Sequence, residues 1–218
     1  MKLDRKPGDG KTPEVLLGDT RFAALLSTEE WNALSPEVRN RFSKRVADEM
    51  SVVYAGEVID ARFSVWGWLL AQAARLIGAP LPLHADTHVP AVVTVTEDAR
   101  VGGQVWTRLY GRRRGFPQII YSSKRFQGST GLEEYLGYGF GMSLAVHVED
   151  GDIVFRSADY FIDVLGYRFT LPAILRPGDL TIKHAQNGVH CFTFTLALTH
   201  RWLGPLISQR VLFRDVAS

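Results

Sequence analysis

The 218-residue chain has a net charge of +2 and is 46% hydrophobic and 22% charged. It can bury a sizeable core without staples, and its net charge is too mild to argue for nucleic acid, where a concentrated basic face is expected. Its one cysteine, Cys191, excludes an internal disulfide, so an oxidising compartment finds no support. With no signal-peptide pattern and no run near the ~18 apolar residues of a membrane span, the expected location is the cytoplasm.

Residues 1–20 read as a polar, flexible leader with only Val15-Leu16-Leu17 to anchor it. Residues 21–218 read as one α+β domain, helical over 21–83 and β-rich over 91–215. Ser27-Thr28-Glu29-Glu30 matches a capping box. Ser35-Pro36-Glu37 sets a cap residue before a proline at the first helical position. Val38, Phe42 and Val46, spaced by four, predict that this second helix runs to about Met50. A short strand over 52–59 follows.

Ser64 opens a third helix, which Gly78, Pro80 and Pro82 close. Between them only Gln72 and Arg75 are strongly polar, among Val, Trp, Leu, Ala and Ile residues. A helix apolar on most sides is expected to be buried on most sides. A membrane-surface helix would need a strongly charged opposite face, which the segment lacks.

From Ala91 the pattern changes to two-residue alternation. Strands are expected at about 91–98, 103–111, 117–126, 138–148, 152–162, 179–186, 190–200 and 206–214. Glu149-Asp150-Gly151 and Asn187-Gly188 are hairpin signals. Short connections favour an antiparallel meander, which closes into a barrel or half-barrel around the 64–78 helix. Phe192, Phe194, Leu196 and Leu198 form a heavy apolar face, opposite small Thr193, Thr195, Ala197 and Thr199. That contrast fits core against solvent, or room left for a ligand or a closely packed helix.

Trp106, Arg108 and Tyr110 alternate and therefore share a face. If the face points inward, Arg108 needs a partner. Glu133 or Glu134 can supply it across the sheet, as a structural ion pair or as part of an anion receptor. Tyr121, Ser123 and Arg125 also alternate; facing inward they could position or protonate a carbonyl, and facing outward they are unremarkable. The tip Arg112-Arg113-Arg114, with Lys124 and Arg125, is the most basic local cluster. It reads as a solvated turn or as a contact to phosphate, anionic lipid or an acidic partner. His84 and His88 are four apart, which on a helix would suit a metal, but they sit in a proline-rich loop around Asp86 that leaves their geometry unspecified. His184, His190 and His200 fall on separate strands and could converge only through the fold, so no metal and no cofactor are expected.

Several stretches together resemble an uncharacterised bacterial domain family of the DUF4166 type. They are Gly78-Ala79-Pro80-Leu81-Pro82, Gly103-Gln104-Val105-Trp106-Thr107-Arg108, Gly115-Phe116-Pro117-Gln118, Ser123-Lys124-Arg125-Phe126, Thr130-Gly131-Leu132-Glu133-Glu134-Tyr135 and Leu175-Arg176-Pro177-Gly178, with Leu203-Gly204 inside 200–209. The resemblance covers roughly 38–215. It implies association with NAD(P) domains of the saccharopine-dehydrogenase or short-chain-dehydrogenase type, while this sequence has no Gly-rich nucleotide fingerprint of its own. It carries no established activity.

The leading expectation is a ligand-binding domain that holds a small apolar or amphipathic molecule in a β-lined cavity, with the role of accessory to an NAD(P)-dependent oxidoreductase implied by the resemblance. Trp106, Arg108, Tyr121, Ser123, Arg125 and Glu134 are its candidate contacts. The alternatives are a stand-alone acid–base enzyme, marked by a Tyr or Glu with a strongly shifted pKa in that cavity, and an interaction module with a filled core.

Overall fold

A computed structural model describes residues 16–45 and 51–215. In chain order its elements are β1 (Leu16–Leu17), α1 (Thr28–Ala33), α2 (Pro36–Phe42), β2 (Lys44–Arg45), β3 (Ser51–Phe63), α3 (Val65–Ala73), β4 (Pro90–Asp98), β5 (Gly103–Tyr110), β6 (Gln118–Arg125), β7 (Glu133–Gly137), β8 (Phe140–Glu149), β9 (Asp152–Val164), β10 (Tyr167–Thr170), β11 (Asp179–Gln186), β12 (Cys191–His200) and β13 (Gly204–Asp215). The period-two runs all become antiparallel strands. Ten of them close a barrel in the order β3-β4-β5-β6-β7-β8-β9-β11-β12-β13, with β13 hydrogen-bonded back to β3. Closure leaves no free sheet edge in the ring. The short β10 lies outside it as a hairpin partner of the end of β9.

The barrel is the expected meander with β7 and β10 added. The Asp-Gly signal holds: Asp150 and Gly151 have φ of 54° and 83° and join β8 to β9 with Glu149 opposite Asp152. Positive φ at both central residues matches the right-handed twist of the flanking strands.

The strand directions sort every connection to one of two ends. One end carries α3, the 78–89 loop, the 171–178 segment and the turns at 111–117, 138–139, 165–166 and 201–203. The other carries α1, α2, the 126–132 connection and the turns at 99–102, 150–151 and 187–190.

The α1 and α2 end is plugged. The Ser27 capping box and the Ser35 cap, with Pro36 at the start of α2, form as their sequences require. The second helix stops at Phe42 rather than near Met50, because the chain turns at Ser43 into β2, which pairs with β1. Residues 46–50, and with them Val46, lie outside the described residues, as do residues 1–15 of the expected leader. Phe22 meets Phe42, Phe126 and Phe155 edge to face at 4.9–6.2 Å, and Phe192 stacks on Phe213 at 5.4 Å. Aromatic packing of this kind gives large burial with defined geometry.

Arg41 reaches into this plug and donates from Nη1 to His184 Nε2 at 2.9 Å. An arginine always donates, so the imidazole accepts and is neutral. Burial first, and then the Arg41 charge, push the His184 pKa well below its ordinary value. The unfolded chain therefore binds a proton near pH 6.5 that the folded chain refuses. Stability contributed by His184 is present above that pH and falls away below it. His184→Phe keeps the stacking on Phe192 and should flatten the stability change between about pH 6.5 and 5, read by urea unfolding. A variant that tracks the wild type through this window would contradict the assignment.

The α3 segment corrects the expectation that the sheet wraps it. Gly67, Ala71 and Ala74 are buried, but Trp66 is 55% and Leu76 85% exposed. The barrel interior is already occupied by strand side chains such as Met142, Phe192, Phe194 and Leu198, so the helix lies across one end. Its start is tied to β13: Ser64 N donates to Leu206 O at 2.9 Å, and Ser64 Oγ accepts from Gly67 N. Gly78, at φ 97°, ends the following 3-10 turn.

Candidate functional site: an apolar cavity with a charged floor

Beneath α3 lies a cavity of about 330 Å³. Its walls are inward residues of the barrel, among them Ile120, Met142, Ile182, Phe194 and Leu198. Two connecting segments roof it. The 80–83 loop is fixed by Gln118, whose Nε2 donates to Leu81 O and whose Oε1 accepts from Leu83 N, both at 2.9 Å. The 171–177 segment is held by Arg176, which donates to Leu171 O, Ala158 O and Asp159 Oδ1. Leu76 and Leu175 line the cavity and are also exposed. The cavity thus reaches the surface between the end of α3 and the 171–177 segment.

The floor is charged. Arg108, Ser122 and Glu134 line it. Arg108 donates to Ser122 Oγ at 3.1 Å and to Glu134 Oε1 at 3.3 Å. Ser122 Oγ donates to Glu134 Oε1 at 2.5 Å. Lys124 Nζ donates to Glu134 Oε2 at 2.7 Å. Lys124 sits away from the cavity, within 5.4 Å of the ring centres of Trp106 and Phe155. All four side chains are buried. One carboxylate therefore faces two basic groups. Burial alone would raise the Glu134 carboxyl, but Lys124 and Arg108 outweigh it and hold its pKa at about 2. Burial pulls the Lys124 pKa down, against the attraction of Glu134. Tyr160 also lines the cavity and donates to Gly178 O at 2.8 Å; burial raises its pKa to about 12.

The predicted residues divide by strand face. Trp106, Arg108 and Tyr110 point inward as their alternation implies. Trp106 lies on the plug side, where its Nε1 donates to Gln104 Oε1 at 3.1 Å. Glu134, not Glu133, is the partner of Arg108. Glu133 instead pairs with Arg168 of β10. Tyr121, Ser123 and Arg125 project from the outer face: Tyr121 is 56% exposed, Ser123 donates to Asp98, and Arg125 stacks on Tyr135 at 3.7 Å. These three do not reach the cavity. The inward residues in their place, one step along β6, are Ser122, which lines the cavity, and Lys124, which stands behind it against Glu134. The signal that would have found them is cross-strand register, since Trp106 faces Ser122 and Arg108 faces Ile120. Direct partners share a face.

The histidines do not converge. His184 sits in the plug, while His200 lies beside Trp202 at the cavity end. Among the described residues no group of three or more His, Cys, Asp or Glu is placed to hold a metal ion. Nor is any helix among them long and apolar enough to cross a membrane.

The family model described as "Domain of unknown function (DUF4166)" matches residues 34–213. No curated protein and no solved structure matches the chain.

Proposed function

We propose that this chain, which belongs to the DUF4166 family, is a binding domain for a small amphipathic molecule. The tail lies along the apolar walls of the cavity, and an anionic or carbonyl head meets Arg108 and Ser122. One observation carries the reading: a largely apolar cavity ends on a buried cluster with one more basic group than carboxylates. Ligand pockets have this composition, mostly apolar with a few placed polar groups. A buried cation that is only partly compensated favours an acceptor from a ligand.

Acid–base catalysis is less well supported. A general base works best with a pKa near the operating pH. Glu134, at about 2, is held ionised and paired, and Tyr160, at about 12, keeps its proton. The oxidoreductase implied by the resemblance enters only as a protein that acts on the bound molecule. Among the described residues there is no βαβ nucleotide unit. We take the cytoplasm as the site of action, on the strength of the single cysteine.

The test is titration of delipidated protein with cis-parinaric acid and with its methyl ester. Arg108→Met leaves Glu134 paired one-to-one with Lys124, so the fold is retained. It should weaken the acid roughly 10–100-fold, the value of hydrogen bonds to a charged group, and change the ester little. Equal affinity of wild type and variant for the acid would remove Arg108 from the site. No binding of either probe, together with no small molecule on the protein purified from its own host, would remove the ligand.

A further inference from the structure

Large apolar side chains are exposed mainly around the mouth of the cavity. Trp66, Trp68 and Leu69 of α3 stand beside Leu76, Leu175 and Trp202, all on segments that the strand directions bring to the same end. Among the described residues, the large hydrophobics exposed at the opposite end are valines, such as Val101 and Val189. Soluble monomers rarely expose contiguous apolar patches of this kind without a use for them.

The same end is basic. Arg112, Arg113 and Arg114 occupy the 111–117 turn, Arg75 follows α3, and Arg201 stacks on Trp202 at 4.1 Å. Among the described residues, Arg75, Arg113, Arg114 and Arg201 make no ion pair. Asp86, which reaches Arg112 at 3.8 Å, accepts a weak bond from the Arg113 backbone.

Read from sequence alone, α3 fails as an interfacial helix because it lacks a charged opposite face. The fold supplies the reason: the opposite face, Gly67, Ala71 and Ala74, is packed on the barrel. The charges come instead from neighbouring turns. Tryptophans flanked by arginines, over an apolar surface a few ångströms deep, are the composition of a surface that lies in a bilayer interface.

We propose that the cavity end of the barrel docks on an anionic membrane surface, with Trp66, Trp68 and Trp202 in the headgroup region and Arg75, Arg113, Arg114 and Arg201 against lipid phosphates. Docking would place the mouth between Leu76 and Leu175 against the acyl chains. If the cavity holds an amphipathic molecule, as proposed above, the bilayer is then its source or destination. A second protein would call for shape and hydrogen-bond complementarity at the rim. A bilayer calls only for this chemistry, and the arginine excess matches its charge.

Co-sedimentation with vesicles tests this, using phosphatidylcholine alone and a 7:3 mixture with phosphatidylglycerol. The wild type should bind the mixed vesicles and release in high salt, and bind the neutral ones weakly. Each basic residue near such a surface is worth about fivefold in affinity, so R113E/R114E should lose roughly tenfold or more. W66S/W68S should retain the salt-sensitive component but lose most of the blue shift in tryptophan fluorescence that insertion produces, the remainder coming from Trp202. All four positions are exposed, so the variants keep the fold, which circular dichroism verifies. Equal sedimentation with neutral and anionic vesicles, or unchanged binding by R113E/R114E, would overturn the proposal. So would self-association through this face in sedimentation velocity without vesicle binding. Cis-parinaric acid binding is measured without vesicles, so failure to dock leaves the ligand reading standing, and failure to bind probe leaves docking standing.

Discussion

Glu134→Gln is expected to destabilise the protein by about 3–5 kcal/mol, the usual cost of breaking a buried ion pair from one side. Glutamine keeps the shape of the side chain but leaves the buried Arg108 and Lys124 without a counter-charge. Domains of ordinary stability have only about 5–15 kcal/mol in total, so the variant should sit near its unfolding midpoint at modest urea. The attribution to charge is testable by rescue. Adding Lys124→Met to Glu134→Gln removes one stranded cation and should recover part of the loss, whereas two independent lesions would add. A loss below about 1 kcal/mol for Glu134→Gln would mean that the cluster is not electrostatically coupled.

The same carboxylate sets an acid limit. Its folded pKa is about 2, against an unfolded value near 4.5. A depressed carboxyl pKa gives stability that is fully present above the unfolded value and is lost as the pH falls towards the folded one. The shift corresponds to about 3 kcal/mol, lost between roughly pH 4.5 and 2. That window lies below the His184 window, so acid unfolding should weaken the protein in two successive stages. The Glu134→Gln variant should lack the lower stage and keep the upper one.

Much of the barrel was legible because its signals are local. Alternation marked most of the strands, and Asp150-Gly151 fixed the turn between β8 and β9. Where the reading failed, the missing information was not local. The strand β7 opens with Glu133-Glu134, and glutamate is depleted in strands. It forms because one glutamate answers Arg108 inside the barrel and the other answers Arg168 outside. On β6, both alternating sets contain polar residues, so composition does not say which faces inward. The register with β5 decides, and it turns Ser122 and Lys124 in and Tyr121, Ser123 and Arg125 out. For α3, hydropathy does not distinguish a helix wrapped by the sheet from one laid across the end of the barrel with only Gly67, Ala71 and Ala74 turned in.

Gly67→Ala is the substitution that couples this helix to the rest. A methyl at Gly67 would stand 1.9 Å from Leu206 O and 3.1 Å from Ile207 Cγ1. The first contact is with backbone, and the same carbonyl accepts the Ser64 N–H that starts the helix. Relief by a side-chain rotation is therefore not open, and α3 must lift from β13. In isolation the change would favour the helix by about 1 kcal/mol, since alanine is the better helix former. Overpacking costs typically about 1–3 kcal/mol, and a collision with fixed backbone belongs at the upper end, so the net effect is destabilising. For a chain of this size the melting temperature should fall by roughly 2–8 °C. Because Leu70, Ala73 and Ala74 line the cavity, lifting α3 also loosens its roof. Amide exchange over 65–73 and the release rate of cis-parinaric acid should both rise, while exchange in β8 and β9 stays slow. An unchanged melting temperature together with unchanged exchange over 65–73 would mean that the helix does not rest on β13 at Gly67, and that the roof of the cavity is held by the 80–83 and 171–177 segments alone.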